Sequence, residues 1–148
     1  MRASILASAA TLLVATQARI VGFYAPNTAA PGSKVRLEIQ TENFSQSIED
    51  VAMSFGLSTG DFTLGSLGQL ISTKILGADL SNTLDNITHI IEIPADATPG
   101  PAVIQGAHFS LTGAVYSPLV EVYYANITIG QGNNFPLVQS ARIPQINN

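Results

Sequence analysis

Alternation with a period of two runs through much of the chain. Over Lys34–Thr41, Val35, Leu37 and Ile39 fall on one side, and Lys34, Arg36, Glu38 and Gln40 fall on the other. That is the pattern of a half-buried strand. Asp50–Leu57 repeats it, with Val51, Met53 and Phe55 expected inward. Ile87–Ile93 places Ile87, His89, Ile91 and Ile93 together, so His89 reads as a packed or edge histidine. Ala102–Leu111 sets Val103, Ala107, Phe109 and Leu111 on one face, interrupted by Gln105, with His108 expected to point outward. Val120–Ile129 is rich in the β-branched and aromatic residues that suit a pleated surface. Arg19–Tyr24 predicts a first short strand.

Turn residues separate these runs. Ala30-Pro31-Gly32 precedes the second strand, and the stretch Pro94 to Pro101 divides two later ones. Proline fixes φ and lacks a donor, and glycine accepts positive φ, so both interrupt strands. Leu67, Leu70, Ile71 and Ile75 carry helical spacing, but Gln69–Leu76 reads equally well as a strand. No sustained helical stripe, internal repeat or linker appears. Six or seven short strands at this spacing predict an all-β fold: an antiparallel immunoglobulin-like or fibronectin-like β-sandwich of about seven strands. The glycine-rich stretch Gly56–Asn86 reads as a loosely packed crossover, or as a binding region carried on the sandwich. The polar tail, residues 131–148, is expected to fray or to lie along the surface of a domain spanning 19–130.

Residues 1–18 change the picture of where the chain goes. Arg2, the apolar run Ile5 to Val14, and small residues at Thr16 and Ala18 form the layout of a cleaved secretory signal peptide, with the cut between Ala18 and Arg19. Ten apolar residues are too few for a bilayer core, which needs about 20, so no membrane anchor is expected. Asn43-Phe-Ser45, Asn86-Ile-Thr88 and Asn126-Ile-Thr128 are glycosylation acceptors on a secretory route.

Composition excludes several chemistries. The 148 residues carry a formal charge of −4 and no cysteine. Nucleic-acid binding needs clustered Lys and Arg, so no nucleic-acid partner is expected. Without cysteine there is no disulfide framework, thiolate nucleophile or Cys-ligated metal. Two histidines leave little for a histidine metal cluster, and no cofactor is expected. A copper site built on an N-terminal histidine is excluded, since Arg19 would be the first mature residue.

Tests for catalysis also come back weak. Gly65-Ser66-Leu67-Gly68 is not the G-x-S-x-G elbow. Asp79 to Asp85 offers alternating oxygen ligands, but Leu84 and Ile90 stand where a calcium loop needs Gly and Glu. Glu49 and Asp50 are adjacent, so a strand sends them to opposite faces. Dispersed carboxylates for glycoside hydrolysis stay open as an alternative. So does a cell-wall carbohydrate-binding module using Tyr123 or Tyr124 as its platform, with Tyr24 and Tyr116 the other tyrosines.

Four segments together carry a resemblance: Ile39–Gly56 (IQTENFSQSIEDVAMSFG), Gly65–Gly68, Leu76–Thr88 (LGADLSNTLDNIT) and Ile93–Ala114 (IPADATPGPAVIQGAHFSLTGA). The chain resembles the fungal necrosis-inducing secreted effectors over roughly Arg19–Ile129. The resemblance implies a secreted, non-enzymatic effector that suppresses pattern-triggered immunity by binding and inhibiting host plant receptor-like kinases, and that can provoke cell death. It implies no catalytic, cofactor or metal residue. A monomer is expected, exported and then delivered into the host cytoplasm. A disulfide-free sandwich suits that reducing compartment.

Overall fold

A computed structural model of the chain describes residues 17–132 and 134–144. Most of it is strand: β1 (Gln17–Ala29), β2 (Lys34–Phe44), β3 (Ile48–Thr59), β4 (Gln69–Ile75), α1 (Gly77–Leu80), β5 (Ile87–Glu92), β6 (Gly100–Thr112), β7 (Ser117–Ile129), β8 (Asn134–Gln139) and β9 (Ala141–Arg142). The six strands read from the sequence are all present, and Gln69–Ile75, left open between helix and strand, is strand. Most of the signal segment lies outside the described residues. The cut expected between Ala18 and Arg19 falls inside β1, where Ala18 pairs with Asn43 and Arg19 with Glu42.

The strands hydrogen-bond in the order β4-β3-β6-β7-β1-β2-β5. β1 joins the two layers. Its first half pairs antiparallel with β2, and its end meets β7 in parallel at Thr28–Ala29, the one departure from the expected antiparallel pairing. The register slips between Ile20 and Gly22, where Gly22 has φ +151°. The layers meet through aromatic rings: Phe23 of β1 sits edge-on to Phe55 of β3, with centroids 5.4 Å apart, and Phe55 stacks on His89 of β5 at 5.5 Å. His89 also hydrogen-bonds Ser72 of β4 (2.8 Å). Val35, Leu37, Ile39, Met53, Phe55, Ile91 and Ile93 fill the interior, as the alternation requires, whereas Val51, expected inward with Met53 and Phe55, is only half-buried at the register shift between Asp50 and Ala52. Gly106 sits at the centre of this packing. A Cβ there would come within 2.6 Å of Met53 Cε, so a larger residue would force the Met53 side chain to move.

The tail as far as residue 144 lies along the sandwich instead of fraying. β8 pairs with β1 and β9 with β7. Between them, Ser140 Oγ accepts from Phe23 N (2.8 Å) while Ser140 N donates to the Phe23 carbonyl (2.8 Å). This close approach needs Gly22, because a Cβ there would stand 2.6 Å from Ser140 Oγ.

Candidate functional site

β6 reverses the phase read from its sequence. Ala102, Ile104, Gly106, His108 and Ser110 face inward, and Phe109 faces out, 37% exposed. His108 is fully buried, contrary to the outward position expected. The alternation misleads here because both faces of β6 are covered over part of its length. On the outer side, Gln105 is buried by the loop that precedes β4. Its Oε1 accepts from Gly65 N (2.8 Å), and its Nε2 donates to the carbonyls of Thr63 (3.1 Å) and Ser66 (2.5 Å). The same loop packs on Gly56, where a Cβ would run into the Leu67 carbonyl. This part of the Gly56–Asn86 stretch is therefore pinned, not loosely packed.

Beyond the loop, the outer face of β4-β3-β6-β7 is open among the described residues. The ladders align Ile75, Ala52, Phe109 and Val120 in one row across four strands. Thr73, Ser54, Ala107 and Val122 form the next row, with Ser54 and Thr73 bridged by a 2.9 Å hydroxyl contact. Ile75 is 70% and Val120 50% exposed. No residue in either row is ionisable. Four strands at roughly 4.8 Å spacing make this face about 15 Å across. An uncharged, partly apolar sheet face is the kind of surface that marks an interaction site. The sequence did not reveal it, because Phe109 read as a core residue.

Behind this face, inside the sandwich, lies a polar band. A register shift between Asp50 and Ala52 turns Asp50 inward. His108 Nε2 stands 2.8 Å from Asp50 Oδ1, although without the N–H···O alignment of a hydrogen bond. Ser110 is Asp50's partner in the ladder, and Glu121 is His108's. Glu121 Oε1 meets Arg142 of β9 at 2.7 Å, and Tyr123 OH donates toward Glu121 Oε2 (3.2 Å), with the Ile20 carbonyl at 3.3 Å. Burial first, and the Glu121 carboxylate second, push the Tyr123 phenol well above its usual range. Asp50, His108 and Ser110 are each 2% exposed or less, so this acid–base set has no substrate access.

The remaining residues singled out by sequence are dispersed. Asn43, Asn86 and Asn126 are all exposed, as are Ser45, Thr88 and Thr128, so each acceptor tripeptide presents its ends to solvent. Tyr123 is buried and Tyr124 half-buried, so the pair makes no flat sugar platform. Tyr24 is half-buried and Tyr116 is 60% exposed. His89 is packed as expected. Burial, with Lys74 as a lesser cause, holds its pKa below the ordinary value. The Asp79–Asp85 stretch forms the short helix and the turn after it. Among the described residues no group of three or more His, Cys, Asp or Glu could hold a metal ion.

Comparison with known proteins adds what the geometry does not carry. The model of the Nis1 family matches residues 16–128. The chain is 39% identical to necrosis-inducing secreted protein 1 of Colletotrichum higginsianum, over 95% of this chain and 98% of that relative. It is also 39% identical to the protein of the same name from Colletotrichum orbiculare, over 86% of this chain and 78% of that relative.

Proposed function

The chain belongs to the Nis1 family, and from that premise we propose that it works by binding and inhibiting immune receptor-like kinases of a plant host. It is a secreted, extracellular fungal effector of the necrosis-inducing class. Cell death and suppression of pattern-triggered immunity are the two proposed outcomes in the host. The inhibition is stoichiometric: one surface covers the kinase, and no substrate is turned over.

The observation that carries this reading is the uncharged outer face built on Ile75, Ala52, Phe109 and Val120. Apolar groups held on rigid strands, rather than on loops, lose little entropy when a partner covers them. A stable complex buries more than about 1,000 Å² in total, so the contact extends past these rows to neighbouring edges. The alternative of catalysis finds no support in the Asp50–His108 pair, which is sealed from solvent. The sugars expected at Asn43 and Asn86 would sit on or beside β2 and β5, strands of the other layer. Asn126 lies six residues along β7 from Val120, roughly 20 Å away at strand rise. Asn126 points to the same side of β7 as Val120 and Val122, so a sugar there would border the far end of the face, whereas those at Asn43 and Asn86 leave it bare.

The test is a phosphotransfer assay on purified cytosolic domains of plant receptor-like kinases. Inhibition should rise with effector concentration and level off at equimolar ratio. Full kinase activity at micromolar excess across several such domains would contradict the proposal.

A further inference from the structure

A cleft of about 280 Å³ opens at one end of the sandwich, where the β2–β3 loop, the turn after α1 and the β6–β7 turn meet. Its wall includes Ser47, Glu49, Ser81, Asn82, Leu111 and Tyr116. Leu111 pairs with Glu49 across the ladder and stands one step along β6 from Phe109 on the same face. The cleft is therefore continuous with the uncharged face.

Its one charged side chain is the carboxylate of Glu49. Glu49 belongs to none of the ion pairs among the described residues, whose carboxylates are Glu42, Glu38, Asp50 and Glu121. Asn82 uses its amide nitrogen toward Ser81 Oγ (3.5 Å), which leaves its carbonyl oxygen free to accept. Ser81 is fixed in turn, with its hydroxyl accepting from Asp50 N (2.9 Å). No Lys or Arg lines the cleft, and Arg19 is held by Glu42 at 2.7 Å. Tyr116 stands at the rim, largely exposed. Asn82 (φ 63°) and Tyr116 (φ 53°) are the two non-glycine residues with positive φ among the described residues, and both line this cleft. Such conformations persist where surrounding structure holds them, often at ligand contacts.

We propose that this cleft takes the guanidinium of an arginine presented by the partner protein, paired with Glu49 and stacked on Tyr116. Arginine offers five donors and no acceptor, which complements a carboxylate, a free amide oxygen and a hydroxyl. Its planar head also lies well over an aromatic ring. Glu49 is the only charged group in the wall, which favours a cation over a neutral sugar. The assignment rests on the reading that the chain acts by covering a protein. It joins a charge-specific anchor to an apolar face, an arrangement that gives register and partner choice.

The probe is N-acetyl-arginine methylamide, titrated into the isotopically labelled secreted protein at constant ionic strength, with amide shifts as the readout. The citrulline analogue is the uncharged isostere, and methyl glucoside is the sugar control. The arginine probe should move the amides of Ser47, Glu49, Asn82 and Tyr116 with a dissociation constant of about 1–10 mM. Glu49→Gln should weaken it by about tenfold, and Tyr116→Ala by about threefold to fivefold, with the rest of each spectrum unchanged. Equal binding of citrulline, binding of the glucoside at the same amides, no shifts at all, or an unchanged affinity in Glu49→Gln would each overturn the assignment. Loss of kinase inhibition with intact arginine binding would contradict the parent reading alone. Kinase inhibition without arginine binding would contradict only the cleft.

Discussion

Arg142 reaches Glu121 with a nitrogen–oxygen distance of 2.7 Å, from a strand that the chain adds after the seven-stranded sandwich is complete. Glu121 is nearly buried, while Arg142 is about half exposed. The pair therefore fastens the C-terminal segment and neutralises an interior carboxylate together. Arg142→Ala should cost about 1–2 kcal/mol, with solvent screening already discounted. In a domain of this size that lowers the melting temperature by roughly 3–8 °C. Adding Glu121→Gln to that variant should recover part of the loss, since the orphaned charge disappears. An unchanged melting temperature in Arg142→Ala would show that the tail contributes nothing here.

Gln105 holds the loop before β4 through three hydrogen bonds. Gln105→Ala leaves the Gly65 N–H and two carbonyls to find water. The expected cost is about 2 kcal/mol. The sharper expectation is local: limited proteolysis should cut within residues 60–68 far faster than in the unmodified protein. Equal protease resistance would contradict the pinning.

These two sites mark how far the sequence was legible. β2 declared itself because one face is apolar and the other polar at every step over Lys34–Gln40, and β5 did so apart from His89 on its inner face and Ile90 on its outer face. β6 did not, because Val103 and Gln105 are buried from outside while His108 and Ser110 are buried from inside. Period-two reasoning assumes that only one face is covered, and on β6 it chose the wrong one. Asp50 turned inward through a register slip that no local pattern announces. The tail strands were missed because edge pairing to β1 and β7 leaves short polar segments with no alternation of their own. The uncharged outer face stayed hidden for the same reason, since its central residue Phe109 read as core.

His89 gives the fold a dependence on acidity. Its pKa in the folded protein lies below the ordinary value of about 6.5, with desolvation the main cause and Lys74 the lesser one. The unfolded chain thus takes up the proton more readily. Stability is fully retained above about pH 6.5, and falls as pH drops from there toward the folded pKa. The effect is modest, because the ring is only partly buried. His89→Gln should flatten the fall in melting temperature between pH 7.5 and pH 5 relative to the unmodified protein. An identical slope would show that the ring is not the group responsible.

Kinase binding is assigned to the outer face of β4-β3-β6-β7. Ile75→Lys with Val120→Lys puts two charges on its most exposed apolar positions. Surface changes of this kind should leave stability within about 1 kcal/mol. Calorimetric titration of a receptor-like kinase domain is the most direct measurement. The unmodified effector should bind with one-to-one stoichiometry, and the double variant, still folded, should lose at least about a hundredfold in affinity as its ammonium groups meet an apolar contact. Equal affinity of the two proteins, or no heat of binding from the unmodified one, would contradict the account.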